Sequence, residues 1–530
     1  MCSLLAGAVC AFVLAVVPLG GDAPAHVYRT LLVQHGVLVW DNLWFAGQYP
    51  LASYSLLYYL AAAPVGNVAL GVAAVVTAAA LFSSILLREW GSIGRWPARW
   101  YAVVAAAPLF TGDFAYACGF AALLGTIWAL QRGRIWLTLA GATLTLGCSP
   151  LAFLLLCLTL LVLAPRRGRL DRPILVIGAA VGLLATLQLG VLAIFPSRGL
   201  YFPYGLWRLV LGVGVGILAT ALSLRGSGRR TLARLFAVWT LANIVSYFVP
   251  SAVGHNLLRP AALVFPLMLL AALLARWRPL WLVIPAVGAA LAANVVPYLT
   301  MIPDRSTDNT GTSAYWRPLI DFLKTKPDPG FRVEVVPTAD HWETFYLPQA
   351  GYSLARGWYT QLDIADNPTL FRPLSATAYR QWLRAVGVRY VVLPHALLGT
   401  SDGLQEVRLL TSGHSGLERV HTDRRFTVYE LPSATPILTG PGRPQLTALT
   451  HDTISGRVSR PGSYQLRIRY TPYLEADRGT VCLMPSSTGM TTLLARSAGS
   501  FALHAIENPG TAIVTLLTQH HHTCPAPTPP

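Results

Sequence analysis

Charged side chains are scarce in this chain: Asp, Glu, Lys and Arg together make up only 12% of its 530 residues. A water-soluble protein of that length cannot cover its surface with so few, which excludes a string of soluble domains. Cysteine is sparse as well. The seven (Cys2, Cys10, Cys118, Cys148, Cys157, Cys482 and Cys524) lack CxxC spacing, which argues against a zinc ribbon or a disulfide-rich scaffold. There is no G-x-x-x-x-G-K-[ST], no G-x-G-x-x-G after a strand and no G-x-S-x-G. Nucleotide hydrolysis, dinucleotide chemistry and serine hydrolysis therefore have no motif to stand on.

What the chain has is apolar surface. Residues of the AVILMFWYC set reach 54% and mean hydropathy is +0.51. The reading is a polytopic α-helical membrane protein. Apolar stretches fall near 2–19, 56–87, 98–112, 114–131, 135–147, 150–164, 174–195, 206–224, 235–251, 260–275 and 280–302, giving about 11 spans. Three are shorter than the roughly 20 residues a bilayer asks for, and read as broken or tilted helices around Gly112-Asp113 and Ser149-Pro150. The first stretch has no basic segment before it and reads as an uncleaved helix, although Ala23-Pro24-Ala25 follows it.

The net charge of +17 is explained by topology rather than by nucleic acid. Residues 1–302 carry 19 basic and 5 acidic side chains. Fifteen of the 19 lie in alternate loops: Arg88, Arg95, Arg99; Arg132, Arg134; Arg166, Arg167, Arg169, Arg172; Arg225, Arg229, Arg230, Arg234; Arg276, Arg278. The positive-inside rule makes those loops cytoplasmic. Arg29, Arg198, Arg208 and Arg259 then share the opposite face, and an odd number of spans puts everything after residue 303 outside the cell membrane.

Four regions follow: a transmembrane domain over 1–302, an extracytoplasmic α/β domain over 303–435, a β-sandwich-like domain over 436–515 and a disordered tail over 516–530. Phe331–Pro337 and Arg389–Pro394 predict strands, with a helix near Ala376–Val386 between them, and Tyr464–Tyr470 alternates as a sandwich strand would. Cys482 and Cys524 are the two outer cysteines and are free to pair or not. The His520-His521-His522-Thr523-Cys524 cluster of the tail reads as unstructured polar chain rather than as a metal site. His341 and Glu343, two positions apart, fall on opposite faces of a strand, which argues against a shared metal.

The five carboxylates of the membrane half carry the most information. Glu89 and Asp171 lie among cytoplasmic arginines. Asp22, Asp41 and Asp113 map to the outer face, where holding a carboxylate near hydrocarbon costs about 3 kcal/mol and points to function. Around the same edge lies a first outer loop, Gly20–Ser55, too long for a mere connector. Residues 24–38 have the spacing of an interfacial helix, with Val27, Leu31 and Leu38 on one side and His26, Arg29 and Gln34 on the other. Trp40, Trp44, Phe45, Tyr49 and Tyr54 follow, suited either to stacking on sugars or to an aromatic belt at headgroup level. Asp22 before Ala-Pro also reads as a helix cap. His26, His35 and His255 stand singly and read as interfacial polar residues.

These residues resemble a family. A first helix ending in an acid, an amphipathic loop helix and Trp-x-x-x-Trp-Phe-x-Gly-x-Tyr-Pro from Trp40 to Pro50 resemble the GT-C glycosyltransferase-like superfamily. More narrowly, the chain resembles actinobacterial polytopic proteins labelled "6-pyruvoyl-tetrahydropterin synthase-related", a label that names no activity. The resemblance extends to Gly254-His255-Asn256 with Arg259, His341-Trp342-Glu343, Tyr346-Leu347-Pro348, Ala355-Arg356-Gly357-Trp358 and Gln361-Leu362-Asp363.

The resemblance implies transfer of a sugar from a polyprenyl-phosphate donor to an envelope glycan or protein acceptor on the extracytoplasmic side. Asp22 would be the general base. Arg259 first, then Arg198 and Arg29, would hold the lipid phosphate. Asp113, Asp41, His26, Trp44, Tyr49 and Asn256 complete the expected substrate site; Tyr470 and Tyr473 of the sandwich could contact an acceptor glycan but read first as core or sheet packing. Asp22 has no acidic neighbour closer than Asp41, so no metal and no cofactor is expected. Two rival readings remain: a non-catalytic envelope protein that binds or assembles glycan, and a transporter of lipid-linked substrate.

Overall fold

The computed structural model describes the whole chain except residues 52–53, 164–171, 197, 200, 225–229, 400–402, 478–480 and 518–530. Arg166, Arg167, Arg169, Asp171, Arg225, Arg229 and the His520–Cys524 cluster lie outside the described residues. The chain divides into two compact units. One comprises residues 1–26, 54–191 and 200–307; the other comprises 27–53, 192–199 and 308–530.

The first unit is helical. Six helical segments among the described residues are long and apolar enough to cross a membrane: Asn67–Thr111, Phe114–Gln131, Arg172–Ile194, Leu206–Ser223, Arg230–Phe248 and Gly254–Leu274. Cys2–Val16, Ile135–Cys148, Pro150–Leu163 and Leu280–Val296 are apolar but shorter. Local sequence explains where the helices stop. Gly112 adopts a left-handed φ of 74° and closes Ala107–Thr111. Ser149 accepts the Ala152 N–H through its hydroxyl (3.2 Å), and Pro150 takes the next position, where its missing N–H leaves no gap.

The last helix, Leu280–Thr307, runs past the expected boundary at 302. It does so because Arg305 is buried, with its guanidinium 5.1 Å from the Phe110 ring and donating to the Phe110 carbonyl. The unit therefore ends at Thr307.

The second unit holds three four-stranded sheets. The first contains β1 (Arg332–Val335), β2 (Val388–Pro394), β3 (Glu418–Thr422) and β4 (Phe426–Glu430) in the order β1-β2-β4-β3. β1 and β2 are parallel, and helices, including Ala376–Val386, fill the connection between them. Ser375 caps that helix at its N-terminus, and Tyr379, Leu383 and Val386 bury its apolar face against Val388 and Val391.

The other two sheets are built from β5 (Leu438–Thr439), β6 (Gln445–Leu449), β7 (Thr453–Val458), β8 (Gly462–Arg469), β9 (Leu474–Ala476), β10 (Val481–Pro485), β11 (Met490–Ala495) and β12 (Gly499–Ala505). Their orders are β10-β11-β8-β5 and β6-β7-β12-β9. Alternate residues such as Ile454, Val458, Phe501 and Leu503 are buried, so each strand shows the period of two that one covered face demands. A last helix, Pro509–Leu517, takes in Leu516 and Leu517, which the sequence reading assigns to a disordered tail; residues 518–530 of that tail are outside the described residues.

The segment 27–53 belongs to this second unit. Glu507 accepts from the N–H groups of Leu38 (2.5 Å), Val39 (2.6 Å) and Trp40 (3.3 Å), and the Asn42 N–H donates to the His451 carbonyl. Burial pushes the Glu507 carboxyl up to about 7, against the pull of those three N–H groups.

Candidate functional site

Two glycines bring Asp22 and Asp113 together. Gly21 and Gly112 have φ of 62° and 74°, backbone that other residues rarely adopt. A Cβ on Gly112 would fall 2.3 Å from the Ala23 nitrogen, and one on Gly21 would fall 2.4 Å from the Thr111 carbonyl oxygen. The two turns thus meet backbone to backbone, and the Asp22 N–H donates to the Thr111 carbonyl at 2.9 Å.

Arg259 enters from the turn after the short 3-10 helix Gly254–Leu258. Its Nη1 lies 2.6 Å from Asp113 Oδ1, its Nη2 lies 2.8 Å from Asp22 Oδ2, and its Nε donates to Asn256 Oδ1 at 3.1 Å. The Thr111 hydroxyl donates to the second oxygen of Asp113 at 2.7 Å. The Arg259, Asp22 and Asp113 side chains are 23%, 16% and 12% exposed, so the cluster is screened from bulk water without being sealed.

One guanidinium between two carboxylates leaves a surplus negative charge. Burial pushes both carboxyls up and Arg259 draws both down. The balance leaves Asp22 below its ordinary value and Asp113 well above it. The two carboxyls therefore differ in how tightly they hold a proton, and Asp22 is the one that favours its ionised form. The Asp22 side chain is bonded to Arg259, so it does more than cap the helix Ala23–Gln34. Among the described residues no group of three or more His, Cys, Asp and Glu side chains is placed to hold a metal ion. Between Asp22 and Asp113, the guanidinium takes the position that a cation would need.

His26, one turn along from Asp22, is buried with its Nδ1 2.9 Å from the Tyr59 hydroxyl. The rings of Tyr54, Tyr58, Tyr59 and Phe114 surround it at 5.7–6.0 Å. A second polar pair lies on the same turn as Arg259. His255 Nδ1 is 2.7 Å from the Pro203 carbonyl, which only accepts, so that nitrogen carries the proton. Nε2 is left to accept from Arg208 Nη1 at 2.9 Å.

The other five expected site residues belong to the second unit and are packed there. Arg29 is fully buried, with its guanidinium 4.3 Å from the Tyr359 ring centroid. Asp41 is buried and accepts from Tyr28 Oη (3.0 Å), the Leu43 N–H and Gln48 Nε2, with His451 Nδ1 3.2 Å away. Trp44 stacks on Tyr28 at 4.3 Å and donates to the Thr344 carbonyl. Tyr49 lies edge-on to Trp40 with its hydroxyl 3.0 Å from Thr471 Oγ1. Arg198 makes two bonds to Asp366, at 3.0 and 2.9 Å, and Asp366 also receives Arg469.

Three expectations need correction here. The helix Ala23–Gln34 is not an interfacial helix with a wetted polar side, because His26, Arg29 and Thr30 are as buried as Tyr28 and Leu32. Trp40, Trp44 and Phe45 form neither a belt nor an open stacking surface, since each is fully buried. His341 and Glu343 do not alternate on a strand. His341 sits in a turn with φ of 56°, Glu343 opens the helix Glu343–Gln349, and their side chains meet at 3.3 Å. Tyr473, by contrast, is buried as core packing requires and has no face for a glycan.

Sequence reasoning missed the buried cluster around Arg356, which contacts Asp363, Glu406 and, at 3.5 Å, Glu334. Arg356 and Asp363 stood out only within the motifs Ala355-Arg356-Gly357-Trp358 and Gln361-Leu362-Asp363, and nothing local reveals that three acids from distant elements converge. No family model and no curated protein matches the chain.

Proposed function

We propose that the chain is a GT-C-like membrane glycosyltransferase of about eleven spans, with its site and its strand-rich region outside the cell membrane. It would move a sugar from a polyprenyl-phosphate donor to an envelope glycan or protein acceptor. The observation that carries this reading is the ion-paired cluster of Asp22, Asp113 and Arg259 beside apolar helices.

The acceptor hydroxyl gives its proton to the ionised Asp22 as its oxygen bonds to the anomeric carbon. The bond from that carbon to the phosphate oxygen breaks, and the electron pair leaves with the lipid phosphate. Arg259 holds Asp22 in place, and three of its five N–H groups are already engaged. Arg208 has no carboxylate partner among the described residues and is oriented by the neutral His255, so it is the better-placed cation for the phosphate.

The test is transfer in vesicles loaded with a polyprenyl-phosphate sugar. Asp22→Asn should keep the folded state and lose about 100-fold or more in rate; full activity in that variant would remove the base assignment. A second reading, a non-catalytic envelope protein, is favoured by how completely the three side chains satisfy one another. Under that reading Asp22→Asn changes stability and no donor is turned over.

A further inference from the structure

The outward face of the sheet β6-β7-β12-β9 carries an open hollow of about 410 Å³, within the range of roughly 300–1,000 Å³ usual for ligand sites. Its floor is made of small side chains. The strand register sets Ala502 opposite Ser455 and Ser500 opposite Arg457, while Thr447 stands at the irregularity between Leu446 and Ala448. Longer side chains wall the floor. Arg457 rises on one side, and on the other Asp477 follows β9, with its N–H bonded to the Ala502 carbonyl at 3.0 Å.

Thr447, Ser455, Ser500 and Arg457 make no side-chain hydrogen bond to protein among the described residues, and Arg457 has no carboxylate partner among them. Asp477 is steadied by His504 Nε2 at 3.0 Å and keeps its other oxygen for a ligand. Hydroxyls that both give and take, one guanidinium and one carboxylate around a flat floor match a partner rich in hydroxyl groups. No large apolar side chain is exposed on this floor, which weighs against an apolar protein partner.

We infer that this hollow binds a carbohydrate chain, with Arg457 and Asp477 gripping hydroxyls of a ring that lies over Ser455 and Ala502. The proposal deepens the transferase reading, since such a site would hold a glycan acceptor, but binding does not depend on turnover.

The full-length protein in nanodiscs is applied to an immobilised array of neutral hexose and pentose oligosaccharides, with no donor present. Binding to at least one oligosaccharide class is expected. Arg457→Ala and Asp477→Ala should each weaken it by about tenfold, the size of a lost charge-assisted bond. Ser455→Tyr, which fills the floor from the solvent side, should abolish it with no change in unfolding temperature. Asp22→Asn should bind as the wild type does, so a failed transferase reading and a failed glycan site are told apart. Binding to nothing on the array, binding indifferent to all three variants, or capture of a polypeptide by this face would overturn the proposal.

Discussion

Nη1 of Arg259 lies 2.6 Å from Oδ1 of Asp113, although 146 positions separate the two residues. A guanidinium at that distance, largely shielded from water, is worth far more to the carboxylate than a surface ion pair would be. The same group also holds Asp22, so one side chain keeps two buried acids in the fold.

Arg259→Met should therefore cost about 3–5 kcal/mol, because it leaves two carboxyls buried without a cation. Thermal unfolding of the detergent-solubilised protein would measure this. Adding Asp113→Asn to Arg259→Met should recover part of the loss, with a coupling of about 1 kcal/mol or more. Additive losses would mean that the two side chains are not partners.

The cluster around Arg356 predicts an asymmetry between two conservative changes. Burial and the neighbouring Glu406 hold the Glu334 carboxyl well above its ordinary value, and its Oε2 has no hydrogen-bond partner among the described residues. Burial thus disfavours its charged form, and Glu334→Gln, which keeps the shape and removes the ionisable group, should change stability by less than about 1 kcal/mol. Arg356→Met strands Asp363 and Glu406 and should lower stability by about 3–5 kcal/mol. The comparison is made on unfolding midpoints of the two variants.

Glu507 predicts a pH dependence of known sign. Its folded value, about 7, exceeds the unfolded value of 4.5, so the folded state binds more protons between those limits and loses stability as pH rises through them. The size is on the order of 3 kcal/mol across the window. Glu507→Gln removes the titration and keeps an acceptor for the Leu38–Trp40 N–H groups. Relative to that variant, the wild type should fall in unfolding midpoint from pH 4.5 to 7.5. A constant difference would show that the three N–H groups fully offset burial.

Much of this was legible in order along the chain. The helix Ala376–Val386 has the bounds its periodicity gives, and breaks fall at Gly112-Asp113 and Ser149-Pro150, because caps, prolines and left-handed glycines act within a few residues. Tyr464–Tyr470 alternates in sequence as β8 does in space. The loop 27–53 was misread for the opposite reason. Its aromatics and Arg29 look like a membrane-facing surface when taken alone, and only their partners Thr344, Gly357, Tyr359 and His451 make them interior.

Charge scarcity and apolar run length, properties that add up residue by residue, thus determined an apolar helical half, with helices long enough to cross a membrane, followed by a strand-rich one. Which acid meets which arginine is not additive. Asp22, Asp113 and Arg259 were each visible as rare charges among apolar runs, but the sharing of one guanidinium by two carboxylates depends on two glycine turns meeting at backbone distance. The hollow over Ser455 and Ala502 depends likewise on register between strands far apart in sequence. Such contacts exist only once the chain has folded, so the tertiary structure alone decided them.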